Sequence, residues 1–286
     1  MKLPAFEYKA PTSLHEAVSL LASADGSARP LAGGQSLLPI MAFRLAHPSL
    51  LVDLGRIPGL ASIEVNEAGL RLGAMTRWRD LEDDAGVASA CPLLAAALAH
   101  IAHYQIRNRG TIGGSLAHAD PAAELPTIAL TCEARLDVIG ASGSRSLDAR
   151  DLFVGPLMNS LRNDEIIVTV QFPPWPNARR WAFEEFARRR GDFAVAGVAL
   201  FYDEDGGRAC NAHIGAIGVG DTPLRLGGAE SALNGRHVDE ATIASVASIA
   251  HDEVNPPSDI HGSSAYRKGL VATLLQRALS RAAGRS

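Results

Sequence analysis

The spacing of apolar residues along this chain changes twice, and each change predicts a new structural unit. Leu14, Val18 and Leu21 fall on one face of a helix, and Ser13 before them is a favourable N-cap. Short apolar runs flank that helix, so the first unit, residues 1–58, is predicted to be a small α/β subdomain. Its predicted elements are strands at 7–9, 29–32 and 50–54 and helices at 14–22 and 37–44.

A hairpin pattern opens the second unit, which is predicted at residues 59–175. Ile63-Glu64-Val65 and Leu70-Arg71-Leu72 flank a turn that ends in Gly69. Apolar residues at helical spacing then follow Pro92, a residue that is tolerated in the first turn of a helix. The pattern predicts helices at 77–84, 92–103 and 122–131 and a strand at 134–139, after which a Gly/Ser turn leads to residues 145–147. A β-branched strand is predicted at 165–172.

A proline-rich stretch, Pro173-Pro174-Trp175-Pro176-Asn177, marks the boundary to a third unit at residues 176–286. Trp175 and Trp181 are predicted to pack at this junction. The unit is predicted to be an α+β domain, which makes the fold class α/β and α+β. Its predicted elements are strands at 181–187, 195–202 and 209–219, a loop at 255–262, and helices at 238–252 and 265–283.

Composition restricts the class of protein. A chain of 286 residues that is 47% hydrophobic and 20% charged can bury a core of ordinary size. Its net charge of −4 gives no reason to expect a nucleic acid or an anionic membrane as partner. The first residues lack the apolar core of a signal peptide, and no apolar run reaches the roughly 18 residues of a spanning helix. A cytoplasmic location is therefore expected.

Residues that commonly bind metals are scattered. Cys91, Cys132 and Cys210 form no C-x-x-C pair, so no disulfide framework, zinc site or iron–sulfur site is expected within this chain. His100 and His103 lie on one predicted helix without a third ligand, and an ordinary helix face is the default interpretation. No metal site is predicted.

Two glycine-rich stretches carry the candidate chemistry. They are Pro30-Leu31-Ala32-Gly33-Gly34-Gln35-Ser36 and Arg107-Asn108-Arg109-Gly110-Thr111-Ile112-Gly113-Gly114-Ser115, and each has a pair of adjacent glycines with a hydroxyl residue soon after. Glycines let the backbone approach a ligand, and successive N–H groups can bind an anion. Neither stretch has the Rossmann or the P-loop spacing. Two such turns predict two clamps on one phosphate-bearing ligand, such as a dinucleotide.

Together with Arg189-Arg190-Gly191-Asp192-Phe193-Ala194, these stretches resemble the FAD-binding medium subunit of the molybdenum hydroxylases, a family that includes xanthine dehydrogenase and aerobic carbon monoxide dehydrogenase. The resemblance covers essentially the whole chain. It implies an FAD-binding region of two subdomains (PCMH-type) followed by a C-terminal α+β domain. It also implies that residues 32–36 hold the pyrophosphate of FAD and residues 111–115 the remaining phosphate and ribitol region. Gln35 and Ser115 stand where relatives often have histidine and asparagine.

The same resemblance assigns further contacts. Glu124 is expected near the flavin end or the ribose hydroxyls, Phe193 near the isoalloxazine, and Ile101 and Ile167 beside the ring; no catalytic residue is expected. The cofactor contacts predicted in this way are Arg29, Pro30, Leu31, Ala32, Gly33, Gly34, Gln35, Ser36, Leu37, Ile101, Gly110, Thr111, Gly113, Gly114, Ser115, His118, Glu124, Ile167 and Phe193.

Some residues near the glycine stretches have two interpretations. His118 and Asp120 could form a catalytic pair, but a role in capping the next helix is favoured, with Asp120 as its N-cap. The arginines at 188–190 could bind phosphate, but an interface with another subunit is favoured. Gly114→Val is expected to disturb the cofactor-binding backbone and abolish FAD retention.

The resemblance also implies a role. The chain would take electrons one at a time from [2Fe–2S] clusters in a small partner subunit, which receive them from a molybdenum cofactor in a large partner subunit. It would pass them to an external acceptor, and the assembly is expected to be a dimer of heterotrimers. Two alternatives stay open: a self-sufficient FAD-dependent oxidase or reductase of the same superfamily, and a nucleotide-binding interaction module.

Overall fold

Three β-sheets organise the chain, and the computed structural model describes residues 2–284. Residues 1, 285 and 286, at the ends of the predicted first and third units, lie outside this range. The first sheet holds strands β1 (Glu7–Lys9), β2 (Ala28–Leu31) and β3 (Leu50–Asp53), with helices α1 (Leu14–Ser23) and α2 (Leu37–Ala42) between them.

This first sheet is parallel and has the order β1-β3-β2. Parallel neighbours require crossover connections, which α1 and α2 provide. The hydroxyl of Ser13 accepts a hydrogen bond from the Glu16 N–H at 3.2 Å and so caps α1, as predicted. Val18 and Leu21 on its inner face are buried against the sheet.

The second sheet is antiparallel, and its order places a late strand in the middle. That strand contains Ile166, Ile167, Val170 and Phe172, which are all buried. The sheet has the order β4-β5-β10-β6-β7, with β4 (Ile63–Asn66), β5 (Gly69–Gly73), β6 (Arg135–Gly140), β7 (Gly143–Asp148) and β10 (Ile166–Phe172); β8 (Phe153–Gly155) and β9 (Met158–Asn159) form a separate hairpin.

Short helices accompany the second sheet, and their buried residues share one hydrophobic core with it. They are α3 (Trp78–Glu82), α4 (Ala85–Ala90), α5 (Pro92–Leu98), α6 (Tyr104–Arg107), α7 (Ile112–His118) and α8 (Glu124–Thr131).

The third sheet is antiparallel and is followed by helices. The order of its strands is that of the chain, β11-β12-β13-β14. Its elements are β11 (Arg180–Phe186), β12 (Ala196–Asp205), β13 (Arg208–Ile217), β14 (Leu224–Arg225), α9 (Gly227–Leu233), α10 (Glu240–Glu253) and α11 (Ser264–Ala282).

Strand β12 shows why this sheet is buried on both faces. Ala199 and Phe201 join the core of the second sheet, whereas the alternate residues Val198, Leu200 and Tyr202 join the core beneath the C-terminal helices. Successive side chains of a strand point to opposite faces, so one apolar run serves two cores. The third sheet is therefore fixed between the second sheet and its own helices.

The junction between these sheets is closely packed. The Trp175 ring meets Phe201 edge-on at 5.4 Å between centroids, and Trp181 packs on the same core, which confirms the predicted packing role of both tryptophans. Helix α8 crosses β13 where Gly215 leaves room: a Cβ on Gly215 would lie 2.7 Å from Thr127 Cγ2 and would overlap the Thr131 hydroxyl. Helix α8 is thus fixed relative to the third sheet.

The structure corrects three helix predictions. The helix predicted at 92–103 ends at Leu98, and the left-handed φ of 43° at Ala102 prevents a continuous helix from reaching His103. His100 and His103 therefore do not lie on one helix, and His103 instead precedes α6. Gly113 and Gly114 of the second glycine-rich stretch lie in α7 rather than in a loop. The predicted helix at 122–131 begins at Glu124, with Ala123 rather than Asp120 at the N-cap.

Several short elements had no sequence prediction, namely α4, α6, α9, β8, β9 and β14. The fold class itself is confirmed, since a parallel α/β sheet is followed by antiparallel sheets with helices. The division of the chain at residues 58 and 175 stays a prediction. Within residues 2–284, no helix combines the length and the apolar character that a membrane span requires.

Candidate functional site

One large cavity of about 730 Å³ collects residues from the first two sheets and their helices, together with the loop at 191–193 between β11 and β12. It receives every predicted cofactor contact except Leu31, which packs behind the first glycine turn. A Cβ on Gly34 would lie 3.4 Å from the Leu31 Cδ1 atom. The predicted residues on the wall are Arg29, Pro30, Ala32, Gly33, Gly34, Gln35, Ser36, Leu37, Ile101, Gly110, Thr111, Gly113, Gly114, Ser115, His118, Glu124, Ile167 and Phe193.

The two glycine turns touch each other. A Cβ on Gly33 would overlap the carbonyl oxygen of Arg109 and lie 2.9 Å from the Cα of Gly110. A Cβ on Gly114 would lie 3.4 Å from the Cβ of Ala32. The absence of side chains at these positions therefore lets two distant segments of the chain form one wall.

The first turn offers backbone donors. Gly34 has a φ of +72°, and the chain then enters α2 through Gln35 and Ser36. Among residues 2–284, the N–H groups of Gln35, Ser36 and Leu37 have no hydrogen-bond acceptor. Unpaired N–H groups before a helix suit an anionic ligand such as a diphosphate.

The second turn differs, because its N–H groups have acceptors within the protein. The N–H of Gly113 donates to the Ala74 carbonyl at 2.8 Å, and that of Gly114 donates to the Thr111 hydroxyl at 3.2 Å. The Ser115 N–H donates to the Thr111 carbonyl at 3.0 Å. The expected second row of free N–H donors is therefore wrong, and residues 111–115 form the capped start of α7.

Close packing explains the glycines of that second turn. A Cβ on Gly113 would lie 2.5 Å from the Cβ of Ala74, and one on Gly114 would lie 2.8 Å from the Thr111 Oγ1 atom. A larger side chain at Gly114 would therefore disturb the N-cap and the contact with the first turn. The expected harm of Gly114→Val stays a prediction, with this contact as its cause.

We expect Thr111→Ala to destabilise the cavity wall. Removing an N-cap hydroxyl costs about 1 kcal/mol of folding free energy, and here it also frees the Gly114 N–H. Thr111→Ser keeps the hydroxyl and is the matched control. Thermal unfolding and FAD titration of both variants measure the effect, and equal behaviour of the two variants would contradict it.

Apolar residues form a further part of the cavity wall. Ile101 and Ile167 are buried, and Phe193 is 62% exposed at the rim. The segment that carries Phe193 lies against the segment after α5, since a Cβ on Gly191 would lie 2.6 Å from the Ala102 carbonyl oxygen. These apolar side chains suit a planar apolar group.

Two titratable side chains on the cavity wall, Glu124 and His118, have shifted pKa values. Burial raises the pKa of Glu124 to about 7, and the charge of Asp120 adds to the effect. Burial also lowers the pKa of His118, partly opposed by Asp120. No hydrogen bond joins His118 to Asp120 within residues 2–284; Asp120 instead accepts the Ala122 N–H at 2.9 Å. The structure favours a turn-forming role for Asp120 over a catalytic pair.

A group of charged residues that the sequence did not mark lies elsewhere on the wall. Glu165 binds Arg145 and Arg162 at 2.8 Å each, and the Arg145 guanidinium, with Arg162, holds the pKa of this carboxyl at about 2. Arg162 and Asn163 also face the cavity. The loop before β10 contains no sequence motif, so these residues are identified only by their position beside the cavity in the folded chain.

The remaining candidates lie outside the cavity. Arginines 188–190 do not line it, so the phosphate interpretation gains no support, and the interface interpretation stays a prediction. Cys91, Cys132 and Cys210 have free thiols. Among residues 2–284, no cluster of histidine, cysteine or acidic side chains is arranged to hold a metal ion.

The arrangement fits an extended dinucleotide. The cavity has the volume of a small-molecule site, for which about 300–1,000 Å³ is usual. Its wall provides free N–H donors that suit a diphosphate and apolar side chains that suit a flat ring. The residues present therefore fit FAD, which would supply the redox chemistry when bound.

Comparisons with known proteins agree with this geometry. Residues 4–175 match the family model described as the FAD binding domain in molybdopterin dehydrogenase, and residues 181–282 match the CO dehydrogenase flavoprotein C-terminal domain. The chain is 43% identical to the nicotine 6-hydroxylase medium subunit of Paenarthrobacter nicotinovorans, with 100% of each chain covered.

Solved structures show the same architecture. A chain of quinoline 2-oxidoreductase from Pseudomonas putida 86 matches with a TM-score of 0.94 and 42% identity, covering 99% of both chains. A chain of carbon monoxide dehydrogenase from Hydrogenophaga pseudoflava matches with a TM-score of 0.97 and 38% identity, covering 100% of this chain and 99% of that one. The resemblance inferred from the glycine turns is confirmed: the chain belongs to the FAD-binding medium subunits of the molybdenum hydroxylases, a family of oxidoreductases.

Proposed function

We propose that this chain is the electron-transfer subunit of a heteromeric molybdenum hydroxylase. It receives electrons from [2Fe–2S] clusters of a small partner subunit, which are reduced by a molybdenum cofactor in a large partner subunit, and an external acceptor removes them. The assembly is a dimer of heterotrimers. A cytoplasmic location stays a prediction from the sequence.

The observation that carries this proposal is the single cavity shared by both glycine turns and the Phe193 segment. The backbone donors after Gly34 bind the diphosphate, and Ile101 and Ile167 lie beside the ring. No side chain on this wall need act as an acid or base on an organic substrate. The protein's contribution is to position FAD and to control its surroundings.

We further infer that the complex oxidises an N-heteroaromatic substrate. The matches with 43% and 42% identity are named nicotine 6-hydroxylase medium subunit and quinoline 2-oxidoreductase, whereas the carbon monoxide dehydrogenase match has 38% identity. The test is to assay the purified complex with nicotine, quinoline and carbon monoxide. Turnover of carbon monoxide alone would contradict the inference.

Co-purification of the tagged chain tests the main proposal. We expect a complex that contains flavin, iron and molybdenum, and whose flavin is reduced only when the partner subunits are present. Turnover of an organic substrate by the isolated chain would instead indicate a self-sufficient oxidase or reductase. Failure of the isolated chain to bind FAD would indicate a nucleotide-binding interaction module.

A further inference from the structure

Two buried carboxyl groups have no arginine or lysine partner within residues 2–284, and one of them lies on the cavity wall. Glu124 begins α8, lines the cavity and is 6% exposed. Glu185 lies on β11, and its side chain is 2% exposed. The Oε2 atom of Glu185 is buried and has no hydrogen-bond partner within residues 2–284. An unpartnered carboxylate in such a position would be costly to bury.

The titratable side chains near Glu185 do not supply a positive charge that would neutralise its carboxylate. His100 approaches Glu185 most closely, with its Nδ1 atom 3.8 Å from Oε1. Burial lowers the pKa of His100 and the charge of Arg190 lowers it further, while Glu184 opposes both, so this imidazole is mainly neutral near pH 7. Glu184 itself is bound to Arg281 at 2.8 Å.

On the Glu124 side, the neighbouring titratable groups are Asp120 and His118. The charge of Asp120 further disfavours ionisation of Glu124, and partial burial lowers the pKa of His118, which favours its neutral form. Burial raises the pKa of Glu185 to about 8, and the charge of Glu124 contributes to that rise. The two carboxyls therefore interact electrostatically across the contact between α8 and the third sheet.

We propose that Glu124, on the wall of the FAD cavity, and the buried Glu185 on β11 hold an exchangeable proton, and that binding of the anionic cofactor draws a further fraction of a proton onto these two carboxyls. The physical reason is that the negative charge of the diphosphate disfavours ionisation of a carboxyl on the cavity wall, such as Glu124. This inference rests on FAD binding by the chain. It places a proton beside a cofactor whose reduction consumes protons as well as electrons.

Calorimetric titration of FAD into the FAD-free chain tests the proposal. At about pH 7.5, between the two raised pKa values, titrations in two buffers with different ionisation enthalpies give the number of protons taken up per FAD. We expect net uptake by the wild type and a smaller uptake by Glu185→Gln, in which Glu124 on the cavity wall still titrates. The matched control is Glu184→Gln on the same strand, which should retain the uptake.

The outcomes separate this inference from the proposed function. Absence of FAD binding by the wild type would overturn both. FAD binding with equal proton uptake in the wild type and Glu185→Gln would overturn the proton-holding pair alone. Loss of uptake in both glutamine variants would also overturn it, because the effect would not be specific to Glu185.

Thermal unfolding without FAD gives a second measurement. A carboxyl whose pKa is higher in the folded chain stabilises it when protonated, and this contribution is lost as pH rises from its unfolded pKa of about 4.3 through the folded value. We therefore expect the melting temperature of Glu185→Gln to rise relative to that of the wild type between about pH 5 and about pH 9. A pH-independent difference would contradict the buried, protonated state of Glu185.

Discussion

Replacing Gly33 with alanine is expected to abolish FAD retention, although the change adds a single methyl group. That methyl would overlap the carbonyl oxygen of Arg109 and lie 2.6 Å from its carbonyl carbon. These are backbone atoms, so no side-chain rotation can relieve the overlap. The two glycine turns must separate, and the N–H donors of the first turn then leave their place on the cavity wall.

The flavin absorbance of the purified variant and its affinity for added FAD measure this effect. We expect at least a tenfold loss of affinity, since separating packed backbone costs more than about 1.4 kcal/mol. Gly269→Ala is the matched control, because a methyl there meets no atom within 4 Å on the exposed side of α11. Wild-type affinity in Gly33→Ala would show that the turns do not need their close contact.

The first glycine turn could be predicted from the sequence because the strand, turn and helix signals occur there in consecutive order. A short strand, two glycines and a helix follow one another, and the structure has the same order at Ala28–Leu31 and Leu37–Ala42. The sequence did not predict that Gly113 and Gly114 lie in a helix. Each glycine costs a helix about 1 kcal/mol relative to alanine, but the Thr111 cap and packing against Ala74 override this preference.

The break after α5 could not be predicted from local pattern. Apolar spacing continues through Ile101, and no glycine or proline interrupts it. The guanidinium of Arg107 holds the carbonyls of Ile101 and Ala102 at 3.0 Å each, which stabilises the left-handed turn at Ala102. The cause thus lies in a later residue, whose position only the fold reveals.

Glu185 illustrates a signal that was present but not used. It follows Trp181 and Phe183 at alternate positions of a strand, so the pattern itself places a carboxyl on an apolar face. If that face of the strand were exposed to solvent, a carboxyl at position 185 would be ordinary. Only the packing of the third sheet against the second shows that the face is buried.

Removing the guanidinium of Arg267 is expected to destabilise the C-terminal domain severely. This side chain is buried on α11 and donates to the carbonyls of Val195 and Gly218 at 2.6 and 3.0 Å. It also binds both carboxylate oxygens of Asp259, at 2.9 and 2.8 Å. Arg267→Met keeps much of the volume but leaves two carbonyls without this donor, and we expect a loss of roughly 3–5 kcal/mol in the free energy of unfolding.

Asp259 adds a pH dependence with a definite sign. The Arg267 guanidinium lowers the pKa of this carboxyl to about 2, so its contribution is present above the ordinary value of about 3.9 and is lost as pH falls through 2. The difference in unfolding free energy between the wild type and Arg267→Met should therefore shrink in acid. Denaturant unfolding at neutral and acidic pH measures it.

The same substitution should also weaken FAD binding. Arg267 binds the carbonyls of two segments, and each segment is connected to residues of the cavity wall. Val195 follows the Phe193 segment, and the N–H of Gly218 donates to the Pro121 carbonyl at 2.9 Å, just before α8. Arg277→Met, on an exposed face of the same helix, is the matched control and should change stability by less than about 0.5 kcal/mol. If both methionine variants unfold alike and retain FAD equally, Arg267 does not fix the helix to the cavity.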